Sequence, residues 1–362
     1  MLYNAPGIFY MPMTPRERWL ALVAGEKPDR VPTDYWATGE VTARLLRDLS
    51  CADTDALYER LHIDGVDFAH LPPTVHHHPD DAEADIWGVR SRRVDYGSGT
   101  YDEVAFSPLA GARTVDDVEA FAWPDPDAHD FDAFRANVGR LSGRRAVRCG
   151  SFEPFLLYCS MRGMEQAYMD LLTEPDVARA ILGRLFDYHY RVNERMFDLA
   201  RGRIDLTYVA EDLGSQTGLL MGLDLIRRFL LPNQKRMADL ARSHGIHVFY
   251  HTDGAAREVI PDLIEVTGIE VLNPIQWRCR GMDREGLVRD FGRRIAFHGA
   301  VDNQQTLAFG TADDVRREVL DNLRIFAWPA RWICAPCHNI QPVSPTENIV
   351  AMYETVYENG RL

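Results

Sequence analysis

His251 and Asp253, two apart in the run Val248-Phe-Tyr-His-Thr-Asp-Gly254, are the side chains whose types and spacing bear most directly on chemistry. In a strand, residues two apart share a face. An imidazole and a carboxylate then point the same way at the strand's carboxyl end, where they can share one divalent ion. Gly254 frees the backbone to turn straight afterwards. The competing reading is a hydrogen-bonded His–Asp pair with no ion. A second segment, Ile333-Cys-Ala-Pro-Cys-His-Asn-Ile-Gln341, offers Cys337 or His338 as a third ligand. Its Cys334-x-x-Cys337 lacks the second pair that a zinc ribbon needs, and it ends a strand where a thioredoxin-like motif would open a helix. Cys334 therefore reads as a small residue in a tight turn. In a third segment, Val209-Ala-Glu-Asp-Leu-Gly-Ser-Gln216, the adjacent Glu211 and Asp212 alternate faces, so one of them can point inward. Metal ligation, general-base work and support of His251 are open to it; capping of a helix by Asp212 is the structural alternative. Glu153, Asn273, Gln276, His298 and Asp302 each stand near the end of an expected strand. His76, His77 and His78 cannot all face one ion from regular structure and read as a solvated loop.

Eight short β-rich runs would position these groups: 30–36, 65–71, 145–151, 205–211, 247–253, 268–273, 294–301 and 331–337. Segments of helical period separate most of them. In 219–244, Ile226, Phe229, Leu230, Met237 and Leu240 recur at helical spacing, and Pro232 is expected to break or kink the segment. Alternating strands and helices imply a parallel sheet, either doubly wound or closed. Polar residues gathered after many strand ends favour the closed (β/α)₈, or TIM, barrel. No GxGxxG turn follows the first run, which weakens a dinucleotide-binding reading. The whole chain, 1–362, reads as a single domain, with 1–28 as N-terminal extension and first helix. The irregular stretch 76–127 reads as an insertion after the second strand, with a hairpin covering the mouth as one form it could take.

Composition narrows the class. The net charge is −14, from 54 acidic and 40 basic residues, so the surface repels phosphate backbones and anionic membranes. The N-terminal stretch does not read as a signal peptide, and no run of about 18 apolar residues occurs. Six cysteines in 362 residues do not form a disulfide framework. A cytoplasmic enzyme with a small-molecule substrate is expected, with neither nucleic acid nor membrane as partner and a homodimer as the favoured assembly.

The ordered set of motifs resembles the uroporphyrinogen decarboxylase superfamily. Thr14-Pro-Arg-Glu-Arg-Trp19 and Pro28-Asp-Arg-Val-Pro32 resemble its opening, followed by Glu211-Asp-Leu-Gly-Ser-Gln216, His251-Thr-Asp-Gly254 and Asn273-Pro-Ile-Gln276. Phe291-Gly, His298-Gly-Ala-Val-Asp302, Phe309-Gly-Thr311, His338-Asn-Ile-Gln341 and Pro345-Thr-Glu-Asn-Ile349 continue the match. The resemblance implies a (β/α)₈ barrel and one of two chemistries. The porphyrinogen decarboxylases use N-terminal arginines and no metal, and 37–43 here lacks an Arg-x₃-Arg arrangement. The cobalamin-dependent methyltransferases bind zinc through His-x-Cys on the fifth strand and a Cys on the last. The matching positions here are His251, Asp253 and His338, harder N/O ligands that leave an ion more Lewis acidic. The resemblance thus implies a zinc- or other divalent-metal-dependent methyltransferase, moving a methyl group between a small methylated substrate, such as a methyl ether, and the cobalt of a corrinoid. The chain has no Asp-x-His-x-x-Gly signature of its own, so a partner protein would supply that corrinoid. Glu211, Asp212, His251 and His338 are the expected catalytic groups. Trp36, Glu153, Tyr208, Asn273, Gln276 and Asp302 are expected to contact substrate, and Tyr35 and Tyr250 are available to extend an aromatic pocket. The alternatives are metal-free decarboxylation of a carboxylated substrate and a non-catalytic binding protein on the same scaffold.

Overall fold

The computed structural model describes residues 12–95, 97, 100–150 and 152–362; the start of the expected N-terminal extension lies outside them. Among the described residues nine strands occur: β1 Val66–Phe68, β2 Arg90–Asp95, β3 Thr100–Phe106, β4 Ala146–Cys149, β5 Leu206–Ala210, β6 His247–His251, β7 Val271–Ile275, β8 Ala296–Val301 and β9 Arg331–Pro336. Seven form one parallel sheet, in the order β1-β4-β5-β6-β7-β8-β9, curled into a half-barrel. Helices cross between successive strands, as parallel pairing requires.

Seven of the eight expected runs hold a strand of this sheet; the run 30–36 does not. It makes isolated bridges instead, Thr33 with Cys334 and, just beyond it, Ala37 with Ile340. Pro32 has no N–H to give a ladder, and the Thr33 N–H goes to the Asp64 carboxylate at 3.0 Å. The segment still lies against both edge strands: Asp34 N–H donates to Cys334 O at 2.9 Å, and Gly65 N–H to Thr33 O at 3.0 Å. The seventh strand is shifted from 268–273 to Val271–Ile275, because Gly268 sits in the left-handed region at the end of the preceding helix. Segment 219–244 splits into Leu223–Phe229 and Leu231–Ser243, with Pro232 in the first turn of the second helix.

Within 76–127, β2 and β3 form an antiparallel hairpin of mostly exposed residues. His76 and His77 are exposed, whereas His78 is buried against Phe121, with ring centroids 5.0 Å apart.

The strands' alternation builds the inside in layers. Ala146, Leu206, Phe249, Val271, Ala296 and Ile333 form an apolar floor, closed from below by Trp19, Leu22 and Val23 of helix Pro15–Val23. That helix is fixed by a capping box between Thr14 and Glu17. Two residues further along their strands, on the same face, stand Arg148, Tyr208, His251, Asn273 and His298. The change from apolar to polar within one period of each strand is what makes the carboxyl end a site.

Candidate metal centre

His251 ends β6, level with Ala210 of β5 and Asn273 of β7. Asp212 lies two residues past Ala210, and Asp253 two past His251, so both carboxylates hang over the imidazole. The loops that carry them pass almost in contact. Gly254 has φ +80°, and a Cβ there would fall 2.4 Å from Gly214 O. Ala255 N–H donates to Ser215 O at 2.7 Å, and Leu213 N–H to Thr252 Oγ1 at 3.0 Å. Gln276 Oε1 accepts Gly254 N–H at 2.6 Å and holds the turn from the other side.

The result is a compact donor set. Asp212, His251 and Asp253 each present a ligand atom within 4.8 Å of the others. His251 Nε2 is 3.4 Å from Asp212 Oδ1 and 3.9 Å from Asp253 Oδ1. His338 Nε2 stands 3.7 Å from Asp253 Oδ2, beside the set and half exposed. Asp253 Oδ1 is buried without any hydrogen-bond partner.

A chain of side chains fixes the imidazole from behind. His298 Nε2 bonds to Asp34 Oδ2 at 2.9 Å, which makes that nitrogen the donor. His298 Nδ1 is then an acceptor, and Asn273 Nδ2 donates a hydrogen bond to it at 2.6 Å. Asn273 Oδ1 is left to accept from His251 Nδ1 at 2.5 Å. His251 Nε2 thereby faces the two carboxylates, donating to them when the ring is protonated and free to ligate an ion when it is not, the arrangement in which a metal-bound histidine is held. An orphaned carboxylate oxygen beside such a nitrogen fits a divalent cation of N/O preference, zinc among them.

Electrostatics separate the two carboxyls. Burial raises Asp212, but hydrogen bonding to His251 and the imidazole's charge outweigh it and hold Asp212 below its ordinary range. Burial pushes Asp253 up, and the neighbouring Asp212 charge adds to this against His251. Burial also works to lower His251, yet its carboxylate neighbours leave the net shift upward.

Beside the donor set opens a cavity of about 430 Å³ lined by Tyr35, Trp36, Phe68, Arg148, Tyr208 and Asn339, among others. Trp36 and Tyr208 flank the His251 ring at 5.9 and 5.6 Å, near parallel to it. Tyr208 O–H donates to Glu153 Oε1 at 3.2 Å. Burial raises the Glu153 carboxyl, and burial together with Glu153 raises the Tyr208 phenol.

Other expected residues lie elsewhere. Glu211 is turned out of the donor set: its oxygens accept the N–H groups of Phe155 and Leu156 at 2.6 and 3.0 Å, capping helix Pro154–Arg162 in the absence of a side-chain cap from Glu153. Asp302 accepts Arg278 Nε at 2.5 Å and the N–H groups of Gln304 and Thr306. The Cys337 thiol is buried and donates to Ile275 O at 3.0 Å. Tyr250, of opposite parity to His251, is buried on the helix side of the sheet. Asp34 and Arg148 were not singled out from sequence. Asp34 lies in a run that forms no strand, whereas Arg148 carried a signal: a charge two residues after Ala146 in an otherwise apolar strand.

A methyltransferase from Methanosarcina mazei has a similar structure, with a TM-score of 0.67 at 18% identity, covering 96% of this chain and 99% of that one. D-psicose 3-epimerase from Clostridium cellulolyticum H10 is more distant, with a TM-score of 0.38 at 10% identity over 67% of this chain and 85% of that one. Among curated proteins no sequence matches. The family model for uroporphyrinogen decarboxylase (URO-D) matches residues 100–359, from β3 through the donor set to the last helix, and the chain belongs to that family.

Proposed function

We propose that the protein is a metal-dependent methyltransferase, moving a methyl group between a small methylated substrate, such as a methyl ether, and the cobalt of a corrinoid brought by a separate protein. The observation that carries this reading is the orphaned Asp253 Oδ1 beside a His251 Nε2 whose other nitrogen is already held. Asp212, His251 and Asp253 would hold the ion, with His338 at its open side. A bound divalent ion supplies Lewis acidity where an oxygen anion develops. In the demethylating direction the methyl carbon–oxygen bond would break as the methyl group passes to the cobalt(I) electron pair of the corrinoid, and the oxygen would leave as an anion that solvent protonates on release.

The chain's own residues do the positioning. Asn273, backed by His298 and Asp34, keeps the His251 ring in one tautomer and one plane. Trp36 and Tyr208 make the apolar walls that orient a flat substrate and exclude water from the reacting oxygen, raising the effect of every fixed charge there. Gln276 and the Gly214–Gly254 contact hold the two acidic loops at ligand distance.

Metal analysis combined with a cob(I)alamin assay tests the reading. Wild-type protein should carry or take up one equivalent of zinc or another divalent ion, and with methyl ethers should convert cob(I)alamin to its methylated form by absorbance. His251→Ala should lose both. A wild type that takes up no ion, or unchanged metal content in both His251→Ala and Asp253→Ala, would overturn the proposal in favour of metal-free decarboxylation.

A further inference from the structure

Arg148 is the second group of the inner layer whose charge is left open. It ends the inward face of β4 and lines the cavity beside the donor set. Its Nε is buried without a hydrogen-bond partner, and among the described residues no carboxylate comes within ion-pairing distance of its guanidinium. It is surrounded by rings instead: the Arg148 Cζ lies 5.1 Å from the centre of Trp36, 5.4 Å from Tyr208, 5.3 Å from Phe249 and 5.9 Å from Phe68. No acidic side chain lines the cavity. The acids behind its walls are engaged, Asp34 with His298 and the Trp36 indole, and Glu153 with the Tyr208 hydroxyl.

Ring faces moderate a cation but do not replace the hydrogen bonds that a guanidinium loses on leaving water. A half-buried guanidinium that opens on a cavity can be met there by a planar anion, which its fork binds through two parallel bonds. Here the protein provides the fork and the aromatic walls and leaves out the anion. Phe68, 53% exposed at the end of β1, adds an open apolar face to the same cavity.

The placement sets the shape of the missing partner. Trp36 stacks on His251 with ring centroids 5.9 Å apart and also lies 5.1 Å from the Arg148 guanidinium. Tyr208 likewise contacts both groups, so the cation and the imidazole of the donor set stand about one aromatic ring apart. We infer that Arg148 is an anion subsite, and that the substrate is a flat, largely apolar molecule bearing a carboxylate at one end and the reacting oxygen at the other, of which methoxybenzoates are the simplest class. The carboxylate would pair with Arg148, the ring would lie against Trp36 and Tyr208, and the methoxy oxygen would reach Asp212, His251 and Asp253. This assignment of substrate class rests on the methyl-transfer reading, whereas the anion subsite itself does not.

Calorimetric titration of the zinc-supplemented protein with 3- and 4-methoxybenzoate, 4-hydroxybenzoate and the uncharged 4-methoxybenzamide tests it. At least one methoxybenzoate should bind, and the amide should bind about 10- to 100-fold more weakly, the loss expected for one charged hydrogen-bonded contact. Arg148→Gln should abolish that preference, and Arg148→Lys, which keeps the charge without the fork, should retain part of it. Equal binding of acid and amide to the wild type, or no binding of any acid, overturns the subsite whatever the variants do. The failure of each reading shows separately. Acids that bind through Arg148 but pass no methyl group to cob(I)alamin leave the subsite standing and remove methyl transfer. Methoxybenzoates bound and demethylated equally by wild type and Arg148→Gln do the reverse. Recovery of the carboxylate intact in the demethylated product is expected; its loss as carbon dioxide would make it the reacting group and overturn the assigned substrate class.

Discussion

The two ends of the half-barrel treat charge in opposite ways. At the amino-terminal end, Asp64 is fully buried, and both its oxygens are engaged by Arg18, Arg30 and Thr33. Arg18 also grips Asp29, and Arg16 grips Asp205 through two bonds of 2.9 and 2.8 Å. At the carboxyl-terminal end, Asp253 Oδ1 and Arg148 Nε are buried with no hydrogen-bond partner. An unsatisfied buried polar group costs roughly 1–3 kcal/mol. The amino-terminal end leaves N–H groups of Trp19 and Arg145 open as well, but the carboxylates named there are all paired, whereas at the mouth a buried carboxylate oxygen is not. An open carboxylate oxygen beside a histidine marks where a cation from outside can complete the network.

The sharpest break of that comparison is a matched pair of substitutions. Asp64→Ala removes the anion from between two buried arginines and should destabilise the protein by about 3–5 kcal/mol. Asp253→Ala removes a carboxylate whose buried oxygen had no partner, and without added metal should stay within about 0.5 kcal/mol of wild type. Urea unfolding of both, in chelator, measures the difference. Equal losses would show that Asp253 is structural and that the two ends do not differ in kind.

A smaller effect is expected at the junction of the acidic loops. Alanine at Gly254 meets a backbone conformation of φ +80° and the carbonyl of Gly214. The left-handed backbone alone costs about 1–2 kcal/mol, and the contact forces the loops of Asp212 and Asp253 apart. Gly254→Ala should therefore weaken the zinc-induced rise in Tm far more than Gly245→Ala, which shares a positive φ but meets open space. Comparable loss in the two variants would detach the metal centre from the loop packing.

How much of this was legible in the sequence follows from the same physics. Period-two alternation placed His251 and Asp253 on one face and left one inward place between Glu211 and Asp212, and seven of the eight runs hold a strand, one of them shifted to Val271–Ile275. Periodicity could not say which of Glu211 and Asp212 faces inward, because that depends on where β5 ends; once it ends at Ala210, parity turns Asp212 in and frees Glu211 to cap a helix. It could not see that the run 30–36 gives its Thr33 N–H to a side chain rather than to a ladder. The Asp34–His298–Asn273–His251 chain joins residues 264 positions apart at its first bond, and local patterning carries no information at that range. Arg148 was readable as a charge in an apolar strand, but its meaning depends on the absence of an acid nearby, which only three dimensions reveal.

The mildest test extends the comparison to titration at the closed end. His247 opens β6, bonds through Nδ1 to Glu270 Oε1 at 2.6 Å, and has its pKa raised by that bond. A histidine raised in the folded state adds stability that is fully present below its unfolded pKa, near 6.5, and is lost as pH rises through the folded value. Glu270→Gln keeps an oxygen for the Val248 N–H but removes the charge. With both side chains about a third exposed, the loss should be at most about 1 kcal/mol, seen in urea unfolding at pH 5.5 and absent at pH 9. Because this pair is complete within the chain, added zinc should leave the pH dependence of the difference unchanged; a zinc-sensitive difference would mean that the two ends are coupled through the strands and are not independent in charge.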